Sequence, residues 1–256
     1  MRSTACICDA PFLLALYFCL TAAAAGRDGA EVMQVGGSMR NDLSSLTMED
    51  VRKIYRRHEP KPVYRHRFFS VLIPFIEKDG ELNLLFEVRA KDMKSDPGEI
   101  CFPGGHVEPG EDPEHCALRE MAEETGISQD QVTLIGPGDV LYGYANYTMY
   151  SYIGAVPYEA YQQAKIQEEE VDELFLMPVR RFMEQGYDNY VEDVRAKVAA
   201  DFPYEKVGID HNYPWRYGRW PIPVFDLGER VIWGLTAQMV ISVLQTLYAA
   251  EEEQEE

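Results

Sequence analysis

The stretch GGHVEPGEDPEHCALREMAEETGI, residues 104–127, holds one short helix between two loops that contain glycine. Asp112 can cap the first turn with its carboxylate, and Pro113 suits the first helical position because no backbone donor is needed there. Gly126 is typical of the residue that ends a helix, since glycine readily adopts the left-handed backbone conformation. The sequence therefore predicts a helix over residues 112–125.

Three glutamates crowd one side of this predicted helix. Glu120, Glu123 and Glu124 lie at helical spacing, so their side chains share one arc. Each pair of like charges costs about 0.2–0.5 kcal/mol on an isolated helix. A solvated acidic face is the simple interpretation, but a divalent cation would turn the same oxygens into ligands. Mg²⁺ suits them, because it prefers oxygen and is typically held by one or two carboxylates plus substrate phosphates.

The wider spacing of this stretch carries a family resemblance. It fits the pattern G-x(5)-E-x(7)-R-E-U-x-E-E-x-G-U, in which U is a bulky aliphatic residue. The matching residues are Gly105, Glu111, Arg119, Glu120, Met121, Glu123, Glu124, Gly126 and Ile127. The chain thus resembles the Nudix hydrolases, whose box has this pattern. The resemblance implies an α/β Nudix fold, with a mixed β-sheet sandwiched between α-helices, and metal-dependent hydrolysis of a nucleoside diphosphate linked to another group.

The resemblance also implies a role for each matching residue. The implied ligands of Mg²⁺ or Mn²⁺ are Glu120, Glu124, Glu123 and, through its carbonyl, Gly105. The implied catalytic residues are Glu123, Glu120 and Arg119, and Arg119 and Glu111 are expected to hold the glutamates in place by charge pairing. A bound cation lowers the pKa of its water, and Glu123 or the outlying Glu170 is the expected acceptor of the proton. For the run EEEVDE around Glu170, a polar turn is the alternative.

The segment before the box resembles a narrower signature. LFEVRAKDMKSDPGEICFPGG, residues 85–105, is similar to the pattern L-L-T-x-R-S-x(3)-R-x(3)-G-x(3)-F-P-G-G of the coenzyme A diphosphatase subgroup. The residues predicted to bind substrate are Arg89, Lys94, Phe102, Gly104 and Gly105. Among the departures, Lys94 replaces arginine and Glu87 replaces threonine. Lysine lacks the two-pronged guanidinium, so affinity and substrate identity are in question. For Arg89, a surface ion pair at the end of a strand is the alternative.

This narrower resemblance predicts a substrate. The chain is expected to cleave the diphosphate of coenzyme A or its thioesters into 3′,5′-ADP and 4′-phosphopantetheine. The alternative within the same class is another nucleoside diphosphate derivative, such as ADP-ribose or a dinucleotide. A different class is a binding or regulatory module without turnover, but no glutamate of the box is replaced here, which favours catalysis.

The chain as a whole is strongly acidic. Its 256 residues suffice for one large or two small domains, and its formal net charge is −19. Such a surface repels polyanions, so neither nucleic acid nor an anionic membrane is expected as a general partner. A small phosphorylated substrate is still compatible, because a metal ion inverts the field within one cleft. Outside the first twenty residues the cysteines are Cys101 and Cys116, predicted to be buried, inert thiols.

Residues 1–39 are predicted to be a signal-like leader and linker. The apolar run followed by small residues has the shape of a secretory signal cleaved near Ala25, and it is short for a membrane span. Alternatively, the leader is not part of the natural protein, and translation begins at Met33 or Met39. The chemistry of the box favours this last interpretation, so a cytoplasmic protein is expected, with secretion as the alternative.

The rest of the chain divides into a predicted Nudix domain, residues 40–248, and a solvated acidic tail, residues 249–256. Strands interleaved with helices predict a mixed sheet with helices packed on it. The predicted elements are a helix at 47–59, a hairpin at 68–90, a loop at 91–110, strands near 131–135, 138–145 and 147–156, a strand before Pro178 with a helix after it, and a helix at 230–250. Residues 201–225 resist assignment, and we expect them to shape the pocket or a homodimer interface.

Three other features have simple structural interpretations. The basic stretch at 52–67 is predicted to be a solvated helix face, against the alternative that it gathers a polyanionic substrate. The tyrosines of residues 142–154 are predicted to be sheet and core residues. His106 and His115 flank the predicted metal-binding helix, and both are predicted to be loop and surface residues.

Overall fold

The structure, a computed structural model, describes residues 46–255, with side chains described through residue 250. The predicted leader and the starts at Met33 and Met39 lie outside the described residues. The α-helices are α1 (Met48–Tyr55), α2 (Pro113–Thr125), α3 (Tyr158–Gln162), α4 (Val179–Gln185), α5 (Tyr204–Val207) and α6 (Gly234–Glu255). The strands are β1 (Arg67–Lys78), β2 (Glu81–Arg89), β3 (Ile100–Cys101), β4 (Gly104–His106), β5 (Thr133–Pro137), β6 (Leu141–Gly143), β7 (Tyr147–Ala155), β8 (Val171–Pro178), β9 (Asp188–Arg195), β10 (Tyr217–Asp226) and β11 (Val231–Trp233).

Contacts divide the described residues into two compact units, where the sequence predicted one domain. Residues 65–196 and 215–255 form the larger unit, and residues 46–64 and 197–214 form the smaller one. The smaller segments group apart because neither α1 nor α5 contributes a buried residue. Thr47 caps α1 with its hydroxyl, and the exposure of this basic helix agrees with the predicted solvated face.

The larger unit is built around one mixed sheet of eight strands. Its central order is β3-β2-β1-β7-β5, with β4 beside β1, β6 beside β7 and β8 beside β2. Residues 67–75 of β1 run parallel to residues 147–155 of β7, whereas the other pairs are antiparallel. The predicted hairpin is confirmed, since β1 and β2 pair across a turn at Asp79 and Gly80.

Alternate residues of β1 separate two cores on opposite faces of this sheet. Leu72 packs with Met121 of α2 on one face. Ile73 packs with Val240 of α6 on the other face, where a second sheet, ordered β11-β10-β9, contributes Phe225. The predicted fold class, a mixed sheet between α-helices, is therefore confirmed.

Two predicted segments differ from the structure. The strand predicted over 138–145 is limited to the three residues of β6, because the chain turns at 144–146 and Asn146 takes a positive φ of 56°. The unassigned residues 201–225 include most of β10, which pairs with β9 along its length. Pro221 and Pro223 hide this strand from sequence patterns, since proline lacks the backbone donor of a regular ladder.

The C-terminal helix also begins and ends later than predicted. Residues 231–233 pair with β10 as the short strand β11, and Gly234, with a φ of 63°, marks the change from strand to helix. The helix then continues to Glu255, through most of the segment predicted to be the acidic tail, so the predicted helix end at residue 250 is wrong. Glutamate is a good helix former, which explains the continuation. Within residues 46–255, no helix is long and apolar enough to cross a bilayer.

Candidate active site

Helix α2 is fixed at both ends by the residues that predicted it. Asp112 Oδ1 accepts a hydrogen bond of 2.9 Å from the backbone N–H of Glu114, and Gly126 ends the helix with a φ of 70°. Near its start, the hydroxyl of Ser70 in β1 donates to the carbonyl of Pro113 at 2.6 Å. The apolar side of α2 is buried on the sheet, and its glutamates contact the glycines of β4.

Arg119 is the cation around which three glutamates of the box are arranged. Its guanidinium donates two hydrogen bonds to Glu111, from Nε to Oε1 at 2.8 Å and from Nη2 to Oε2 at 3.0 Å. Its Nη1 lies 2.9 Å from Glu120 Oε1 and 2.9 Å from Glu123 Oε2. The hydrogen bonds from Arg119 are the main reason that the pKa of Glu111 falls to about 2. The arrangement agrees with the expected charge pairing.

Glu124 lies inside the protein, where an acidic surface face would have exposed it. Its side chain belongs to a residue only 3% exposed, and Oε2 accepts a 2.8 Å hydrogen bond from the backbone N–H of Gly104. Burial raises the pKa of Glu124, and the nearby charge of Glu87 raises it further. Glu123, by contrast, is exposed, with 54% of its side chain accessible. The glutamates of α2 are therefore not equivalent.

Gly105 brings the backbone against the carboxylate of Glu120. A Cβ at Gly105 would meet Glu120 Oε1 at 2.3 Å and Cδ at 2.4 Å, so no side chain fits there without displacing the glutamate. Glu120 is half-buried, and burial raises its pKa while Arg119 lowers it. β4 thus positions one glycine against Glu124 and the next against Glu120.

Glu87 joins this cluster, although the sequence did not single it out as a site residue. It is 1% exposed on β2, and its Oε1 accepts a 3.2 Å hydrogen bond from Cys101 Sγ. Its Oε2 is buried and has no hydrogen-bond partner among the described residues. Burial is the main cause of the raised pKa of Glu87, and the charges of Glu170 and Glu120 add to it. The available signal was its departure from the threonine of the signature.

Glu170 is brought to the same place from a distant part of the chain. Its carbonyl accepts a 2.8 Å hydrogen bond from the backbone N–H of Ala90, which ties the start of β8 to the end of β2. Its charge raises the pKa of Glu87, Glu120 and Glu124. Residues 168–170 form a turn, and its place at the end of β2 brings the charge of Glu170 to bear on the box glutamates, so the catalytic role of Glu170 stays a prediction.

The predicted substrate-binding residues fall in different environments. Arg89 is half-buried at the end of β2, and no carboxylate of the described residues lies within ion-pair distance of it. Lys94 is exposed in the loop that follows. Phe102 is 3% exposed and stacks on Phe86 at 4.6 Å between ring centroids, so it is a core residue rather than the substrate contact that the sequence predicted. The backbone N–H of Gly104 already donates its hydrogen bond to Glu124.

The acidic cluster fits a divalent cation in charge and ligand type. Among the described residues, no three carboxylate, imidazole or thiol groups already surround one point as a finished metal site. Yet the charges of Glu87, Glu120 and Glu170 all act on the buried Glu124, and one buried oxygen of Glu87 is unpaired. Hard oxygen ligands of this kind suit Mg²⁺ or Mn²⁺. The donor chemistry therefore fits the metal that the sequence implied.

The two histidines near the box are exposed, and the two cysteines are buried or half-buried thiols. His115 is exposed as predicted, but its Nδ1 lies 3.1 Å from Glu111 Oε1, a contact with a box glutamate that was not expected. His106 is also exposed, with its ring 5.4 Å from that of Phe69. Burial raises the pKa of Cys101 and raises that of Cys116 to about 12. Both thiols stay protonated at neutral pH, which agrees with the predicted inert role.

The tyrosines of residues 142–154 are of two kinds. Tyr147 and Tyr150 of β7 are half-buried in the sheet, as predicted. Tyr142 and Tyr144 are exposed, because β6 is short and the chain turns after it. Tyr144 packs edge-on against Trp220 at 5.2 Å, so its ring contacts the second sheet instead of the core.

The fold and the glutamate helix together define a protein class. The family model described as NUDIX domain matches residues 66–198, slightly more than half of the chain, and the chain therefore belongs to the Nudix family. It is a hydrolase that acts on phosphorus-containing anhydrides, and enzymes of this family generally need a divalent metal.

Its relatives point to one subgroup of the family. Nudix hydrolase 3 of Caenorhabditis elegans is 29% identical over 181 residues, which cover 70% of this chain and 72% of that protein. The peroxisomal coenzyme A diphosphatase NUDT7 of Mus musculus is 33% identical over 150 residues, 57% of this chain and 61% of that protein. The mitochondrial coenzyme A diphosphatase NUDT8 of Homo sapiens is 27% identical over 180 residues, 70% of this chain and 68% of that protein. The chain thus resembles the coenzyme A diphosphatase subgroup, and it spans less than two thirds of the mouse relative.

Proposed function

We propose that this chain hydrolyses the diphosphate of coenzyme A or its thioesters. The water oxygen joins one phosphorus, the bridging P–O bond breaks, and the products are 3′,5′-ADP and 4′-phosphopantetheine. The observation that carries the proposal is Arg89 beside the acidic cluster, a half-buried cation in the segment that matches the subgroup signature. The printed names of two relatives, both coenzyme A diphosphatases, support the same substrate.

The cluster supplies the residues that such a reaction needs. Glu120 and Glu124 would hold Mg²⁺ or Mn²⁺, which when bound neutralises phosphate oxygens and acidifies a water molecule. Arg119 orients Glu120 through the contact at 2.9 Å, and Glu111 in turn holds Arg119. The two-pronged bond between Arg119 and Glu111 fixes the guanidinium plane, so the glutamates are positioned before substrate arrives.

Glu170 is the better candidate of the two proton acceptors. Glu123 is exposed, and its carboxylate is ion-paired with Arg119 at the surface of the helix. Glu170 is half-buried beside Glu120, and its Oε1 receives only a long contact of 3.5 Å from Gln167 Nε2. A general base works best within reach of the attacking water, so we assign the proton to the Glu170 carboxylate.

Arg89 and Lys94 would bind the phosphate that distinguishes coenzyme A from simpler diphosphates. Two backbone hydrogen bonds close the loop that contains Lys94. The Gly98 N–H donates to the Arg89 carbonyl at 3.0 Å, and the Arg89 N–H donates to the Glu99 carbonyl at 2.9 Å. This closure holds Lys94 on the same loop as Arg89. Two cations near an acidic site attract a substrate of high negative charge.

A substrate panel tests the proposal directly. Coenzyme A, an acyl thioester, dephospho-coenzyme A and ADP-ribose are compared with Mg²⁺, with Mn²⁺ and with a chelator. The expected result is the highest kcat/KM for coenzyme A or its thioester, and no turnover in the chelator. A much faster turnover of ADP-ribose would refute the substrate assignment and favour the alternative within the family.

A pair of lysine variants tests the phosphate contact. Lys94→Ala should raise KM for coenzyme A several-fold and leave dephospho-coenzyme A almost unchanged, because only the former carries the extra phosphate. Lys91→Ala is the matched control in the same loop, since Lys91 is exposed and pairs with Asp172 at 3.1 Å. Equal effects of the two substitutions on both substrates would show that Lys94 makes no specific contact.

A further inference from the structure

We propose that Glu87 is an additional metal-holding carboxylate of this site. It lies outside the Nudix box and replaces the threonine of the subgroup signature. The inference rests on the proposed metal-dependent function, and it adds a residue that neither the box nor the signature supplies.

The position of Glu87 in the sheet directs its side chain into the site. β2 lies between β3 and β8, and Glu87 pairs with Cys101 on one side and with Leu174 on the other. Residues alternate between the faces of a strand, so Glu87 points to the same face as its second neighbour Leu85, which packs with α2. Glu87 therefore faces the helix that carries the box glutamates.

The surroundings of Glu87 leave one carboxylate oxygen without a partner. Cys101 Sγ donates to Oε1 at 3.2 Å, a weak bond because a thiol is a weak donor. Oε2 is fully buried and accepts no hydrogen bond from any described residue. No lysine or arginine of the described residues forms an ion pair with Glu87. A buried carboxylate oxygen without a partner is costly, and such an oxygen is normally hydrogen-bonded, ion-paired or bound to a metal.

The neighbours of Glu87 make a cation the consistent partner. Burial raises the pKa of Glu87, the charge of Arg89 lowers it, and the charges of Glu170 and Glu120 raise it further; the charge of Glu87 in turn raises the pKa of Glu124. Arg119 pairs with Glu120, whereas Arg89, whose charge acts on Glu87, forms no ion pair with any of these glutamates among the described residues. Several carboxylates that share a partly buried space repel one another unless a cation lies between them, and a divalent ion is compact enough to contact more than one.

The test compares metal binding by the wild-type chain with that of two variants. Glu87→Gln keeps the shape and removes the charge, and Glu87→Thr restores the residue of the signature. Glu114→Gln is the control, because Glu114 is an exposed glutamate at the start of α2. Mn²⁺ affinity is measured by titration calorimetry, and the melting temperature is measured in a chelator and in Mn²⁺.

The expected pattern has two parts. Both Glu87 variants should melt higher than the wild type in the chelator, because they remove an uncompensated buried charge. Both should bind Mn²⁺ at least about tenfold more weakly and gain less stability from it. Glu114→Gln should match the wild type in both measurements.

The outcomes separate this inference from the proposed function. If the wild-type chain turns over coenzyme A and both Glu87 variants bind Mn²⁺ with unchanged affinity, the inference is overturned and the proposed function stands. Failure of both variants to fold would also overturn it, because Glu87 would then be needed for structure rather than for metal. A wild-type chain that binds no Mn²⁺ would refute the proposed function together with the inference.

Discussion

The contact between Gly105 and Glu120 leads to a prediction about one methyl group. In Gly105→Ala, the new Cβ would lie 2.3 Å from Glu120 Oε1, whereas an ordinary contact begins near 3.4 Å. The carboxylate therefore has to retreat by about 1 Å. Because the atom that moves is the end of a flexible side chain, the fold should tolerate the substitution.

The Gly105→Ala substitution should lower the catalytic rate. A misplacement of about 1 Å in a catalytic group typically lowers the rate on the order of 100-fold. That factor corresponds to about 2.7 kcal/mol of lost transition-state stabilisation. We expect kcat/KM for coenzyme A to fall by about this factor, with a melting temperature within a few degrees of the wild type.

Two other glycines, one next to Gly105 in β4 and one in β5, supply the controls. In Gly104→Ala the Cβ would meet the backbone of β1, Ser70 O at 2.5 Å and Val71 Cα at 2.7 Å, so this variant should lose about 1–3 kcal/mol of stability. In Gly136→Ala nothing lies within 4 Å, and both stability and activity should be unchanged. Steady-state kinetics and thermal melts of the three variants separate loss of activity from loss of fold.

One outcome would refute the reasoning. If Gly105→Ala folds and retains the kcat/KM of the wild type, the position of Glu120 is not important for the reaction. The assignment of Glu120 as a metal ligand would then have to be abandoned.

Three further predictions concern the glutamates of the box and the metal that they are proposed to hold. Glu120→Gln should reduce kcat by at least about 100-fold without lowering the melting temperature, and a fully active variant would contradict the ligand assignment. Removal of divalent metal by a chelator should abolish turnover, and Mg²⁺ or Mn²⁺ should restore it; turnover that persists in the chelator would exclude the metal. The pKa of Glu111 is depressed to about 2, so its pairing with Arg119 stabilises the fold fully above the unfolded-state pKa, near 4.3, and this stability is lost as the pH falls towards 2. Glu111→Gln should therefore be less stable at pH 7 by on the order of 1–2 kcal/mol after solvent screening, the difference should vanish near pH 2, and Glu108→Gln should show no such change in urea unfolding.

The box and its helix were predictable because local residues determine them. Asp112 and Gly126 fix the ends of α2 through short-range hydrogen bonding and backbone conformation, so the boundaries followed from sequence alone. The pairing of Arg119 with the glutamates was implied by the resemblance of this stretch to the Nudix box. The sequence did not reveal how deeply each glutamate is buried, because the burial of Glu124 depends on how α2 lies against β4.

Other features depend on contacts between distant segments. Glu87 was recognised only as a departure from a signature, since its place in the cluster is set by the pairing of β2 with β3 and β8. Phe102 was assigned to the substrate because of its neighbours in sequence, whereas the sheet directs its ring into the core. Strand β10 was missed because tertiary pairing, and not local preference, makes a strand of a segment with two prolines.

The parallel pairing of β1 with β7 affects the order in which the enzyme forms. The two strands are about 80 residues apart, and the glutamate helix lies between them in the chain. Contacts of such long sequence separation form slowly, because the intervening loop has to close first. Glu170 joins the acidic cluster only when β8 pairs with β2, so we expect the cluster to be completed late in folding.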